Sequence, residues 1–223
     1  RDGFHAESPG GTVSLRDDGT PVLDYPLNGY LFDAMRRAFR TMADVQFAAG
    51  ARANGGGFLA KVQPDGQIAS LQTLALPVRA LAAGPNGAVY LGGDGFLTKL
   101  NPDLSPAFEL HPAGSIAGLA IDPAGAVYAA LAIEARGQVA KLSPEDGRTI
   151  WQLDLGPSAP AAIAVDALGS IYVTGSTASL DFLTKNAVQP RLDGPSDAFV
   201  ARILPTGELA WSTYLGGRGP DAG

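Results

Sequence analysis

Hydrophobic positions in this chain come in short runs, each closed by a cluster of Gly, Pro, Asp or Asn. Three of the runs share one pattern. Gly87-Ala88-Val89-Tyr90, Gly125-Ala126-Val127-Tyr128 and Gly169-Ser170-Ile171-Tyr172 each place a turn glycine before a small residue, a β-branched residue and Tyr. The tyrosines lie 38 and 44 residues apart. Repeats of about 40–45 residues built of short strands predict four-stranded antiparallel blades, and so an all-β propeller or an arc of one. Upstream of each pattern an apolar strand ends in a turn, as in Leu119-Ala120-Ile121-Asp122-Pro123-Ala124-Gly125. Asp or Pro opens such a turn and Gly supplies a positive φ.

A second hairpin follows each Tyr strand. Its first strand reads Gly57-Phe58-Leu59-Ala60-Lys61, Gly95-Phe96-Leu97-Thr98-Lys99, Gly137-Gln138-Val139-Ala140-Lys141 and Ala198-Phe199-Val200-Ala201-Arg202. The recurring basic residue, flanked by apolar neighbours, is expected to lay its stem along a blade face with its head in water. Turns such as Pro64-Asp65-Gly66, Pro144-Glu145-Asp146-Gly147 and Pro205-Thr206-Gly207 come next. Trp151 and Trp211 each lie four residues past the turn glycine, a fixed strand position that predicts packing between blades rather than a ligand platform.

The resulting units are a half blade at 11–28, a degenerate unit at 29–76, and units at 77–111, 112–155 and 156–216. They make one propeller region over 1–223, expected to be a fragment of a larger protein with further blades or fused domains. In the half blade, Thr12-Val13-Ser14-Leu15 and Pro21-Val22-Leu23-Asp24-Tyr25 flank a turn at Asp17-Asp18-Gly19. In the degenerate unit, Leu31, Met35, Phe39 and Met42 suit one helix face, whereas alignment places Ala38 to Arg40 in the innermost strand. The reading adopted is a short helical turn over 31–37 leading into a poor strand.

Charge narrows the partners. Sixteen Lys and Arg against 22 Asp and Glu give a net charge of −6, with no basic run, which argues against nucleic acid and anionic membrane surfaces. Cysteine is absent, removing disulfides, thiolate zinc sites and thiol nucleophiles. No apolar run reaches the roughly 18 residues of a membrane-spanning helix, so no membrane insertion is expected. The 29 Gly and 17 Pro recur periodically and read as turns rather than disorder.

Within 162–217, the phrases Ala164-Val165-Asp166, Ile171-Tyr172-Val173-Thr174-Gly175, Ser176-Thr177-Ala178-Ser179, Asp181-Phe182, Asp197-Ala198-Phe199-Val200-Ala201-Arg202 and Trp211-Ser212-Thr213-Tyr214-Leu215-Gly216-Gly217 follow in order. This stretch resembles the bacterial SBBP repeat, a seven-bladed β-propeller family. The remainder, 29–155, is a looser repeat that also suits NHL-like or quinoprotein-like blades. The resemblance implies an exported or cell-surface bacterial protein acting as a non-enzymatic scaffold or binding module. Its ligand would be a protein or glycan held by inter-strand loops. It brings no shared catalytic residues.

Candidate chemistry is sparse. His5 lies in a Gly/Pro-rich start, and His111 in Leu110-His111-Pro112 between units. No zinc-protease, nucleophile-elbow or phosphate-loop spacing is present, and Asn54-Gly55-Gly56-Gly57 reads as a hairpin loop. The long insertion from Ser176 to Asp197 holds Asp181, Asp193 and Asp197, for which ordering the loop is expected ahead of calcium binding. No catalytic, cofactor-binding or metal residue is assigned, and no cofactor is expected. The alternative is a propeller enzyme of the streptogramin-lyase or quinoprotein type. Ala82-Ala83-Gly84-Pro85-Asn86-Gly87 faintly resembles the streptogramin-lyase repeat, and His111 would be its acid or base.

Overall fold

The structure is a computed structural model that describes residues 12–15, 21–24, 46–52, 55–63, 65–84 and 87–223. Two compact units make up the chain: Arg1–Gln46 with Lys61–Ala69, and Phe47–Ala60 with Ser70–Gly223. In the first unit, β1 (Thr12–Leu15) and β2 (Pro21–Asp24) form the expected antiparallel hairpin, in register from Thr12 opposite Asp24 to Leu15 opposite Pro21. The helical turn and inner strand expected over 31–40 lie outside the described residues, as does His5.

All the described elements are strands. β3 (Gln46–Ala51), β4 (Gly57–Val62) and β5 (Ile68–Leu74) form a three-stranded sheet in that order. Three four-stranded meanders follow. They are β6 (Ala80–Ala83) to β9 (Pro106–Leu110) through β7 (Val89–Gly93) and β8 (Phe96–Leu100); β10 (Ser115–Ile121) to β13 (Thr149–Pro157) through β11 (Val127–Ile133) and β12 (Arg136–Leu142); and β14 (Ala159–Val165) to β17 (Leu209–Leu215) through β15 (Ile171–Thr177) and β16 (Asp197–Ile203). Each is antiparallel with neighbours in sequence order, the construction of a propeller blade.

The Gly-small-(Val/Ile)-Tyr pattern has a local cause. Gly87, Gly125 and Gly169 all turn with positive φ, between 75° and 88°. Asp122 Oδ1 accepts from the backbone N–H groups of Ala124 and Ala126, while its Oδ2 accepts from the Tyr128 hydroxyl at 3.1 Å. Asp166 repeats this with Leu168, Ser170 and Tyr172. One carboxylate thus fixes both the turn and the first tyrosine of the strand. Gly84 occupies the corresponding place in the β6–β9 blade, and the Tyr90 hydroxyl instead reaches the Pro144 carbonyl at 3.4 Å.

Both faces of the middle blade are buried. Val127, Ala129, Leu131, Ala140 and Leu142 meet the β6–β9 blade, and Tyr128, Ala130, Val139 and Leu155 meet the β14–β17 blade. Removing a Val- or Leu-sized side chain from water contributes about 1.5–3 kcal/mol. Tight seams need small residues: a Cβ on Gly92 would come within 2.7 Å of Ile116 in the next blade.

The basic residue of the third strand does not extend into water. Tyr90 pairs with Lys99, which pairs with Phe108 on the outer strand; Tyr128, Lys141 and Trp151 align in the same way, as do Tyr172, Arg202 and Trp211. Lys99 Nζ lies 5.6 Å from the Tyr90 ring centroid and 5.8 Å from that of Phe108. Lys141 and Arg202 lie 5.5 and 5.9 Å from their tyrosines. Two rings hold the Lys99 cation, and a tyrosine ring holds Lys141 and Arg202, where sequence alone suggested solvent. A register shift recurs at this residue in all three blades and leads into the turn.

Candidate functional site

The two long seams between four-stranded blades are filled differently. The difference starts at the residue three positions before the basic one. That residue is Phe58, Phe96, Gln138 or Phe199 in the successive copies. Three residues after each strand-two aromatic, the cross-strand partner changes with it: Gly50, Gly93 and Gly175 accompany the phenylalanines, and Leu131 accompanies Gln138. At Gly50 and Gly93 the missing side chain leaves room for the ring, whereas at Gly175 it admits the β14 backbone at Ala159. The Phe96 ring comes within 2.4 Å of where a Gly93 Cβ would be.

In the seam between the β10–β13 and β14–β17 blades, Phe199 is fully buried and pairs across the sheet with Tyr214. The insertion 178–196 adds Phe182, 4.7 Å from the Phe199 centroid and 5.3 Å from that of Tyr214. The insertion is anchored along its length. Leu183 N–H donates to the Leu155 carbonyl at 3.1 Å, Lys185 pairs with Ser212 through both backbone groups, and Tyr214 N–H donates to the Gln189 carbonyl at 3.1 Å. Asp197, with no exposed surface, accepts from Gln189 Nε2 at 2.7 Å and from the backbone N–H of Asp193 and Gly194 at 3.1 and 3.2 Å. Those contacts give Asp197 an ordering role. Asp181 and Asp193 are exposed.

The preceding seam lacks this aromatic plug and holds a cleft of about 380 Å³. Its floor includes Leu97, Ile116, Ala129, Leu131, Ala140 and Leu142; Gln138, Gln152, Arg148 and His111 supply its polar edge. Gln138 Oε1 accepts from Gln152 Nε2 at 2.5 Å, which leaves the Gln138 amide N–H donors and the Gln152 amide oxygen for another partner. At Tyr214's place stands Asp154, which accepts from Arg136 Nε at 2.9 Å and from Gly156 N–H at 2.7 Å. The hydrogen bond from Arg136 holds the Asp154 carboxyl below the usual carboxylate range. An apolar floor of this volume with a few convergent polar groups is the form of a small-ligand or side-chain pocket.

His111 lies at this edge, following the outermost strand of its blade. Its side chain is 72% exposed, with Nδ1 3.3 Å from the Gly95 carbonyl and Nε2 3.8 Å from Glu109. Among the described residues no three His, Asp or Glu side chains converge as a metal would require. Gly55 and Gly56 lie in the β3–β4 hairpin connection, as expected, with Gly55 N–H donating to the Arg52 carbonyl, and Gly57 opens β4. No helix among the described residues is long and apolar enough to cross a membrane. Trp151 packs between blades: its ring lies 6.1 Å from Tyr128, its Nε1 donates to the Pro205 carbonyl at 3.2 Å, and Gly207 of the next blade lies against it.

Gln138 is the site residue that sequence reading passed over. Its signal was present: a single polar residue where three other copies of the repeat carry Phe.

No protein-family profile matches the chain, and no curated protein matches it. Solved structures do. A protein of unknown function from Bacteroides caccae superposes with a TM-score of 0.52 at 16% identity, over 79% of this chain and 60% of that one. A catalytically inactive virginiamycin B lyase from Staphylococcus aureus with quinupristin gives 0.47 at 14% identity, over 74% and 58%. The dihydro-heme d1 dehydrogenase NirN gives 0.49 at 15%, over 78% and 44%. This chain therefore spans 60% or less of the length of these structures, and at such identity the likeness concerns fold alone.

Proposed function

We propose that this chain is a non-enzymatic, exported, propeller-type binding module, and that it takes an apolar protein side chain into the cleft beside Gln138. The single observation behind this reading is the exchange of the Phe–Gly pair for Gln138 and Leu131. That exchange puts two paired amides at the mouth of the seam in place of an aromatic ring; the seam lined by Phe96 holds a cleft of the same volume, about 380 Å³, without that pair. A protein ligand suits the lining better than a glycan. Sugar rings favour exposed aromatic faces, whereas the cleft is aliphatic and the Trp151 ring is already packed on Gly207. The SBBP-like stretch over 162–217 supports a scaffold at the bacterial cell surface or outside it. The lyase-type alternative would rest on His111 at the cleft edge with Glu109 beside it, and no third His, Asp or Glu converges with them among the described residues.

The test is a selection of displayed peptides on the immobilised chain, with Gln138→Phe as the counter-target and a glycan array in parallel. The proposal expects peptides with an apolar anchor residue that bind the parent chain and lose at least tenfold affinity for Gln138→Phe. Peptides that bind both proteins equally, or glycan binding unaffected by Gln138→Phe, would contradict it.

A further inference from the structure

The Tyr–basic–aromatic ladders on the β6–β9 and β10–β13 blades are each completed by the blade that follows. In the β6–β9 blade, Lys99 Nζ and the Tyr90 hydroxyl both donate to the Pro144 carbonyl, in the β12–β13 turn. The Phe108 ring meets Gly147 of the same turn, which has a φ of 73° and would bring a Cβ within 2.7 Å of the ring. In the β10–β13 blade, Trp151 Nε1 donates to the Pro205 carbonyl in the β16–β17 turn, and its ring meets Gly207, where a Cβ would approach to 2.8 Å at a φ of 89°. Two successive seams are thus closed by the same device. A turn proline offers its carbonyl to the ladder, and a turn glycine seats the outer aromatic.

The β14–β17 blade carries the same ladder without that closure among the described residues. Tyr172 is half-buried, whereas Tyr128 at the equivalent place has no exposed surface; Trp211 is half-buried, as Trp151 is. Arg202 Nη2 donates to Ser170 Oγ at 3.0 Å within its own blade. Its Nε is buried and has no hydrogen-bond partner. A buried guanidinium N–H left unmatched is costly, and the Lys99 ladder shows an acceptor that meets such a cation, the Pro144 carbonyl. The blade's remaining outward positions, Thr174 and Val200, are also half-buried, where their counterparts Ala130 and Val139 are fully covered.

We infer that the outer face of the β14–β17 blade, centred on Tyr172, Arg202 and Trp211, is a docking face for a further four-stranded blade of this repeat. That blade would be joined in sequence as the earlier ones are. Its turn between third and fourth strands would bring a proline carbonyl to Arg202 and a glycine beneath Trp211. The inference is independent of the Gln138 cleft, which lies on another seam.

Hydroxyl-radical footprinting read by mass spectrometry tests it. The 223-residue chain is compared with the same chain extended by a tandem copy of residues 156–216. Tyr128 serves as the internal standard for a closed ladder. Labelling of Tyr172 should be several-fold above that of Tyr128 in the parent chain. It should fall to that level in the extended chain, and rise again when Val replaces the glycine equivalent to Gly207 in the added copy. Unchanged labelling of Tyr172 beside the added copy would overturn the inference. So would protection that grows with concentration of the parent chain, which would make a second copy the occupant. A second measurement does not depend on the copy folding. In the parent chain, Lys141→Ala should lower the melting temperature by several degrees and Arg202→Ala by much less. An equal loss would mean the last ladder is complete without a partner.

Discussion

Asp122 fixes both its turn and Tyr128, and that tyrosine carries a pH signature. Burial, then the hydrogen bond to Asp122, raises the Tyr128 hydroxyl from 10.0 to about 12. The folded chain keeps this group neutral while the unfolded chain ionises it near 10.0. Its stabilising effect is therefore complete below pH 10 and is lost as pH rises towards 12. Urea-unfolding midpoints should fall steeply across that window in the parent chain and less steeply in Tyr128→Phe. The glycine that opens the strand is equally constrained. Gly125 turns at a φ of 88°, a conformation costing L-residues about 1–2 kcal/mol, so Gly125→Ala should destabilise by that amount in chemical denaturation. Sequence revealed the turn and its glycine because both are local. It did not reveal the Tyr128–Asp122 bond, which depends on the hairpin bringing its two ends together.

Between elements, the seams decide what is filled and what is left open. Phe182 enters its seam from an insertion that resembles surface loop in sequence, yet only 4% of it is exposed. Truncating a buried Phe typically costs about 3–5 kcal/mol, and Phe182→Ala should do so here by denaturant unfolding, detaching the 178–196 insertion from β17. Its neighbour Val188, 95% exposed, makes a control: Val188→Ala should change stability by less than about 0.5 kcal/mol. Strand positions and blade order were readable from the period of the Tyr pattern, the recurring basic residue and the turn glycines. The cation–π ladders were half visible. The period showed that Lys99, Lys141 and Arg202 were equivalent, but not that register sets each between two rings. The cleft was legible only as a departure from the repeat at Gln138. Its meaning required knowing that Phe199, Phe182 and Tyr214 fill the matching space one seam later.

For the molecule as a whole, periodicity builds the scaffold and its exceptions mark the surfaces that remain available. Among the described residues, Gln138 and Leu131 mark the cleft of one inter-blade seam, while Tyr172, Arg202 and Trp211 lack the turn that closes the two earlier ladders. The seam is the centre of the functional account. Its most direct test is methyl NMR on isotope-labelled chain titrated with a selected apolar-anchor peptide. Shifts should concentrate on Leu97, Ile116, Leu131 and Leu142 and vanish in Gln138→Phe. Shifts confined to Leu180, Leu183 and Val188 of the insertion, and retained in Gln138→Phe, would contradict it.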